Sequence, residues 1–364
     1  WGFSELDQIT SGNVSDLEAA WTFSTGVRGG HESPPIVNDG VMYITTPGNR
    51  LFALDARNGD LLWLYEHDLP DRLIAIHNTN RGVALYEDKV FMATLDARVV
   101  ALDALTGDEI WDVSVADNGS GYYMTTAPLA VEGRIMAGVS GGELGIRGFV
   151  VALDAETGAE VWKTHTVPEP GDFGSDTWPG DTWETGGAPV WLPGHYDPAL
   201  GLTYWGTGNP GPWVGDQRDG DNLYTNSVLA LDLQTGEIQG YHQYHWNGSW
   251  DWDEVSTPLL VDLTRDGRTF PALVHPGRNG YLWTLERSAD GISFVDATEY
   301  VYQDVFSSID PETGRPTYDP AHKPTTGQVT SFCPSLWGGK DWPPAAFNPD
   351  TRLLYIPANT NHCG

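Results

Sequence analysis

Apolar and polar positions recur along this chain in one arrangement: a short apolar run, an Asp, a Thr-Gly or Asn-Gly turn, then a second run closing on Trp. Leu54-Asp55-Ala56-Arg57-Asn58-Gly59 leads to Trp63, Leu102-Asp103-Ala104-Leu105-Thr106-Gly107 to Trp111, and Leu153-Asp154-Ala155-Glu156-Thr157-Gly158 to Trp162. A weaker copy, Leu231-Asp232-Leu233-Gln234-Thr235-Gly236, ends at Tyr241. Each unit reads as strand, tight turn, strand. An apolar run such as Val150-Val151-Ala152-Leu153 precedes the turn, and the Gly supplies the positive φ that a hairpin needs. The tryptophans are spaced 48 and 51 residues apart. A period near 50 that holds several short strands points to a propeller blade. Each Trp is expected to pack between neighbouring blades, which have no other way to bury their faces. A β-sandwich needs no such period.

The later units are longer, with Gly-, Pro-, Asp- and Trp-rich stretches at 165–190 and 210–226 that read as inserted loops, and long loops on a regular scaffold are often functional. The pattern gives five blades and part of a sixth within one propeller domain, residues 1–364. It stops in mid-pattern after Cys363, and a propeller closes on itself to protect its edge strands. The expectation is therefore an incomplete propeller lacking a C-terminal third.

Composition narrows the function. Trp 16 and Tyr 15 against Met 4, with Gly 43, favour an all-β protein. No run approaches the roughly 18 apolar residues of a membrane span. The net charge is −31, which speaks against nucleic acid, because phosphate binding needs basic surface. Such a field attracts cations or a basic partner, or else reflects adaptation to high salt, the reading we prefer. Cys333 and Cys363 are unrelated thiols in a reducing compartment or close a loop in an exported protein, and two cysteines alone do not decide between these.

Trp250-Asp251-Trp252-Asp253 carries the most chemistry. On a strand, positions i and i+2 face the same side, so both acids are expected to enter one space. Two such charges repel unless a proton or a cation lies between them, and hard cations take carboxylate oxygens. The competing reading is a solvated acidic turn.

The repeat Ala-Leu-Asp-Ala-x-Thr-Gly-x-x-x-Trp resembles the tryptophan-docking motif of the pyrroloquinoline quinone (PQQ) dependent alcohol dehydrogenases, eight-bladed propellers that include the methanol dehydrogenases. The likeness runs from Gln8-Ile9-Thr10 and Ala20-Trp21-Thr22-Phe23-Ser24-Thr25-Gly26, through Gly142-Glu143-Leu144-Gly145-Ile146-Arg147-Gly148 and Gly206-Thr207-Gly208-Asn209-Pro210, to His275-Pro276-Gly277-Arg278-Asn279-Gly280 and Cys333-Pro334-Ser335. The docking motif alone also occurs in non-enzymatic propellers; the other segments are more specific.

The resemblance assigns roles to single residues. Glu143 and Asn209 become metal ligands, the amide oxygen being a hard donor that adds no charge. Asp251 becomes a metal neighbour and the base that takes the alcohol's hydroxyl proton as hydride passes to the quinone C5. Asp253 matches the additional acid of the lanthanide-using branch. Three carboxylates balance a trivalent ion and over-neutralise Ca²⁺, so a lanthanide is expected, with calcium as the alternative. Trp191 matches the floor beneath the quinone and Arg278 the donor to its oxygens. Glu32, Arg81, Thr126 and Ser140, with Gly141 and Gly142, match positions around the PQQ carboxylates and rim.

This chain also departs from the pattern. Asp341 stands where Asn usually contacts PQQ, Gly277 where methanol dehydrogenases commonly have Asp, and Ala75-Ile76-His77-Asn78 where many relatives carry adjacent cysteines over the quinone. By resemblance, Cys333 and Cys363 are disulfide-bonded to each other, which implies a periplasmic or extracellular location. The implied partners are a small primary alcohol and a cytochrome c, with a homodimer possible. The rivals are a non-catalytic assembly scaffold, which would not need Glu143, Asn209, Asp251 and Arg278 together, and a same-fold enzyme acting on a sugar or polyol.

Overall fold

The apolar runs form strands that pair in chain order into antiparallel sheets. The structure is a computed structural model, and it describes residues 2–364. The first sheet holds β1 (Ile36–Asn38), β2 (Val41–Thr46), β3 (Arg50–Asp55) and β4 (Leu61–Glu66). The second holds β5 (Val83–Tyr86), β6 (Lys89–Ala93), β7 (Arg98–Asp103) and β8 (Glu109–Ser114). The third holds β9 (Leu129–Val131), β10 (Arg134–Gly138), β11 (Phe149–Asp154) and β12 (Glu160–His165). The fourth holds β13 (His195–Asp197), β14 (Leu202–Gly206), β15 (Ser227–Asp232) and β16 (Ile238–Gln243). The fifth holds β17 (Leu259–Arg265), β18 (Arg268–Pro276), β19 (Tyr281–Ser288) and β20 (Gly291–Glu299). Two hairpins follow: β21 (Phe306–Ile309) with β22 (Pro316–Tyr318), and β23 (Ala346–Asn348) with β24 (Leu353–Tyr355). The five expected blades are thus complete sheets, and two partial ones are present where one was expected.

Each Trp docks on the turn of the next blade. The Trp63 indole N–H donates to Ala104 O at 3.2 Å, Trp111 to Ala155 O at 3.2 Å, and Trp162 to Leu233 O at 3.0 Å. Trp21, which lies before the first sheet, does the same to Ala56 O at 3.1 Å. The turn Gly is required twice over. At Gly158 and Gly236 φ is 71° and 73°, and a Cβ would stand 2.9 Å from Trp111 and 2.5 Å from Trp162. A further copy, Asp310-Pro311-Glu312-Thr313-Gly314, escapes the Trp pattern because Phe294 covers its glycine; a Cβ there would meet that ring at 2.5 Å. Asp310 Oδ1 nevertheless accepts from the amides of Glu312 and Thr313, as Asp154 Oδ1 does from Glu156 and Thr157.

The core lies in layers between adjacent sheets. Phe91 and Ala101 meet Ile135 and Val151 between the second and third sheets, and Met136 and Val150 meet Trp205 and Leu229 between the third and fourth. In a four-stranded meander the turns that join second to third strands share an end with the links between sheets; the docking turns occupy the other end. Glu143 (β10–β11), Asn209 (β14–β15) and Arg278 (β18–β19) sit in turns of the first kind. Arg81, Trp191, Asp251, Asp253 and Asp341 sit in the linking segments, and Glu32 in the segment that leads into β1 at the same end. The topology alone therefore puts them all at one end.

Candidate functional site

At that end a cavity of about 960 Å³ opens, lined by Glu32, Arg81, Ser140, Gly141, Gly142, Glu143, Trp191, Asp251, Asp253, Arg278 and Asp341 among others. Of the residues singled out in the sequence, two do not line it. Asn209 is buried directly behind Asp253. Thr126, expected at the rim, is wholly buried with its hydroxyl on Ala127 O, because the chain turns it into the blade; its neighbour Thr125 faces the cavity and accepts from Arg81 Nη1 at 2.6 Å.

The strand expected at Trp250–Asp253 is absent. The segment is an irregular link between β16 and β17, with Asp251 at φ 62°. The indoles explain the bend. Trp250 and Trp252 are fully buried, stacked with centroids 5.2 Å apart, and donate to His322 O and Ser335 O at 2.8 Å each. With both indoles held in the core, the intervening and following acids are left on the cavity side, so the i, i+2 sharing survives without a ladder.

Five carboxylates and two guanidiniums line the cavity. Arg81 pairs with Glu32 at 2.8 Å and Arg278 with Asp341 at 3.0 Å. Glu32, an odd partner for an anionic cofactor, is thus explained as the counter-charge of Arg81. Asp341, standing where the family has Asn, is the counter-charge of Arg278, and buried Lys340 donates to the Asp341 carbonyl at 2.7 Å. Glu143, Asp251 and Asp253 are left without a cation at hydrogen-bonding distance among the described residues; Arg278 approaches Asp253 only to 3.9 Å.

Burial is the main reason that Asp251 and Asp253 are held well above the ordinary carboxylate range. The charge of Asp253 raises Asp251 further, Glu143 raises both, and Arg278 opposes the shift in both. Asp253 Oδ2 accepts from the Trp191 indole at 2.6 Å and its Oδ1 from the Asn209 amide. Asn209 Oδ1 is buried without any hydrogen-bond partner. Buried amide oxygens are seldom left so, and this one lies beside carboxylates that repel one another.

By chemistry these donors, three carboxylates and an orphaned carbonyl oxygen, suit a hard cation, while among the described residues no three His, Cys, Asp or Glu side chains stand grouped as a ready-made metal cluster. Glycine makes room for them. A Cβ at Gly208 would stand 2.6 Å from Asp253 Oδ1 and 2.7 Å from Pro189. The rest of the lining fits a flat anionic cofactor. Trp191 offers a half-buried indole face, the Arg81 guanidinium lies 4.8 Å from its ring centroid, and Trp342 lies on the same guanidinium at 5.7 Å.

Sequence reasoning missed Tyr123, Trp213, Leu336, Trp337 and Trp342, which also line the cavity. They sit in loops without a repeat to mark them. Ile76 and His77 also line it, so the segment that lacks the cysteine pair does stand at the cavity. Gly277 leaves little room for a side chain, since a Cβ there would stand 2.8 Å from Asn279 Oδ1 and 3.0 Å from Glu254 Oε2. Cys333 and Cys363 form the expected disulfide, with Cα atoms 4.4 Å apart.

Residues 2–301 match the family described as glucose/ethanol/alcohol dehydrogenase, β-propeller domain, of the PQQ class. The chain is 38% identical to the quinoprotein alcohol dehydrogenase PedH of Pseudomonas putida over 98% of its own length and 64% of that protein's. It is 40% identical to the lanthanide-dependent methanol dehydrogenase of Methylacidiphilum fumariolicum, over 99% of its length and 63% of that protein's. Among solved structures, a europium-containing methanol dehydrogenase superposes with a TM-score of 0.93 at 39% identity, covering 98% of this chain and 66% of that one. The chain thus spans somewhat under two thirds of the relatives it matches. On the strength of the family match, the relatives and the cavity they share a fold with, the chain belongs to the PQQ-dependent alcohol dehydrogenase family.

Proposed function

We propose that this chain carries the site of a PQQ- and metal-dependent dehydrogenase that oxidises a primary alcohol to an aldehyde. The observation that carries this reading is the convergence of Glu143, Asp251 and Asp253 at one cavity beside Trp191, with Asn209, whose amide oxygen is orphaned, buried behind Asp253. When bound, PQQ supplies the two-electron oxidising centre and the cation polarises its carbonyl.

The side chains have separable tasks. Trp191 supports a flat ring, and its indole is fixed in the plane set by Asp253. Arg81 is placed to meet the carboxylates of a group on Trp191. Arg278, held by Asp341 and by Asp251 O at 3.2 Å, brings a fixed guanidinium to the cavity lining. Asp251 is the general base: it takes the substrate hydroxyl proton, and a cation between the acids would lower its affinity for the proton it otherwise retains. Asp253 is the third charge, and with it a trivalent lanthanide fits better than Ca²⁺. The printed names of two relatives, lanthanide-dependent and europium-containing methanol dehydrogenases, support that choice.

The net charge of −31 suits a basic one-electron acceptor such as a cytochrome c. The disulfide suits an oxidising, periplasmic or extracellular setting. The test is to load the purified protein with PQQ and either La³⁺ or Ca²⁺ and to follow alcohol-dependent dye reduction. Turnover with La³⁺ and little with Ca²⁺ is expected. Turnover with Ca²⁺ alone would overturn the lanthanide assignment, and no alcohol-dependent reduction with either ion would overturn the enzymatic reading.

A further inference from the structure

Directly after the paired acids, Glu254 is a carboxylate with no exposed surface that no part of the mechanism above uses. Its oxygens are turned away from the cavity. Oε2 accepts from the backbone N–H of Arg278 at 3.0 Å and from His275 Nε2 at 2.8 Å, and Oε1 accepts from the Asn279 N–H at 3.2 Å. The two backbone donors belong to the turn between β18 and β19, whose one cavity-facing side chain is Arg278, and His275 stands near the end of β18 that leads into it. The far side of that turn is fixed as well: Asn279 Oδ1 accepts from Tyr281 N and Trp283 Nε1, and the Tyr300 hydroxyl donates to Gly277 O.

We infer that Glu254 is a positioning residue for the cofactor: by binding the Arg278 amide from beneath, it sets where the Arg278 guanidinium stands over the PQQ site. The inference rests on the PQQ reading of the cavity. Its physical basis is the shortage of alternatives at that spot. A buried amide pair at the tip of a hairpin turn has no ladder partner, so a side chain must satisfy it. A carboxylate is the one side chain that accepts at both oxygens with no donor of its own. The packing is close, since a Cβ at Gly277 would stand 2.8 Å from Asn279 Oδ1 and 3.0 Å from Glu254 Oε2, and the two side chains together take up the room a side chain at 277 would need. The same chain segment thus gives Asp251 and Asp253 to one face and, through Glu254, fixes the cationic group opposite them. A shift of the Arg278 backbone would loosen its hold on both Asp341 and Asp251 O.

A Gln at 254 must turn an N–H₂ toward either the Arg278 or the Asn279 amide, setting donor against donor. The test is a double-mutant cycle read by PQQ binding rather than by turnover. The unaltered protein, Glu254→Gln, Arg278→Ala and the double variant are each titrated with PQQ in the presence of La³⁺, following quenching of tryptophan fluorescence. Glu254→Gln is expected to weaken PQQ binding roughly tenfold or more, and the double variant to bind no more weakly than Arg278→Ala alone. Binding by Glu254→Gln within twofold of the unaltered protein, or losses that multiply in the double variant, would overturn the inference, since a merely structural role costs the same whether or not Arg278 is present. If circular dichroism finds the Gln variant unfolded, Glu254→Asp, which keeps the acid but draws it back by one methylene, is read by the same criteria. An unaltered protein that binds no PQQ would overturn this inference and the proposed function together; binding that ignores position 254 would overturn the inference alone.

Discussion

The Trp191 indole donates to Asp253 Oδ2 at 2.6 Å, so the cavity's flat apolar floor and its third acid are a single unit. Two properties that look separable, the proposed seat of a planar cofactor and the charge of the proposed cation site, are therefore tied together. Asp253→Asn keeps an acceptor for the indole but removes the charge. It is expected to weaken lanthanide binding by roughly ten- to a hundredfold while changing Ca²⁺ binding far less. Because Trp191 adjoins the site, Tb³⁺ bound there is expected to luminesce on tryptophan excitation, and titration of that signal gives the affinity directly. Equal losses for Tb³⁺ and Ca²⁺ would remove the special role of Asp253.

The raised proton affinities of Asp251 and Asp253 make two signs testable. Cation binding must displace the protons they retain, so Tb³⁺ affinity is expected to fall as pH falls, with proton release on binding. Stability of the metal-free protein runs the other way. Between the ordinary carboxylate value near 4 and the raised values, the folded state binds more protons than the unfolded one, so these two groups lower stability as pH rises. The Asp251→Asn/Asp253→Asn variant lacks that penalty. Its advantage over the unaltered protein is expected to be absent at pH 4 and to grow to on the order of 1–3 kcal/mol by pH 8. Urea unfolding of both proteins across that range measures it, and a constant difference would show that the acids are not held protonated.

How much of this was legible in the sequence depends on what kind of order each part has. Blades were legible because Trp63, Trp111 and Trp162 repeat one packing contact at one spacing, and the contact is the same each time. The unit at Asp310 was not, because Phe294 covers its glycine where the pattern led one to look for Trp. The acids at 251 and 253 were legible through their spacing, although the reason given, a strand, was wrong; buried indoles rather than a ladder fix the alternation. Thr126, expected at the rim, faces the blade while Thr125 faces the cavity, and nothing in the residue type tells the two apart. Glu254 was passed over because a buried acid that binds backbone looks in sequence like any other acid of a very acidic chain.

The docking contacts carry a prediction for the scaffold. Trp162 is the most deeply buried of the three repeat tryptophans and joins the third blade to the fourth through Leu233 O. Trp162→Phe keeps most of the apolar surface and loses the hydrogen bond, leaving a buried carbonyl short of a donor, for a loss of about 1–2 kcal/mol. Trp162→Ala also empties the space over Gly236, for about 3–5 kcal/mol. Urea unfolding of the two variants is expected to give that order with the cavity arrangement retained. A Phe variant as damaging as Ala would mean that the indole N–H, not the ring, is what joins the blades.

The disulfide closes the segment that leads into Asp341. Cys333 and Cys363 are 30 residues apart in sequence, and the loop between them carries Leu336, Trp337, Asp341 and Trp342 to the cavity. By the chain-entropy argument a loop of that length contributes roughly 3–4 kcal/mol when closed. Its reduction should do more than lower the unfolding midpoint. Arg278 would keep its backbone bonds to Glu254 but lose a fixed Asp341, because Asp341 is held from the Cys333–Cys363 loop and Glu254 from the Asp253 segment. Reduction with a strong thiol is therefore expected to weaken PQQ binding at reductant concentrations that leave Tb³⁺ binding at Glu143, Asp251 and Asp253 unchanged. Parallel loss of both ligands on reduction would show instead that the loop supports the whole end of the propeller rather than the cofactor side alone.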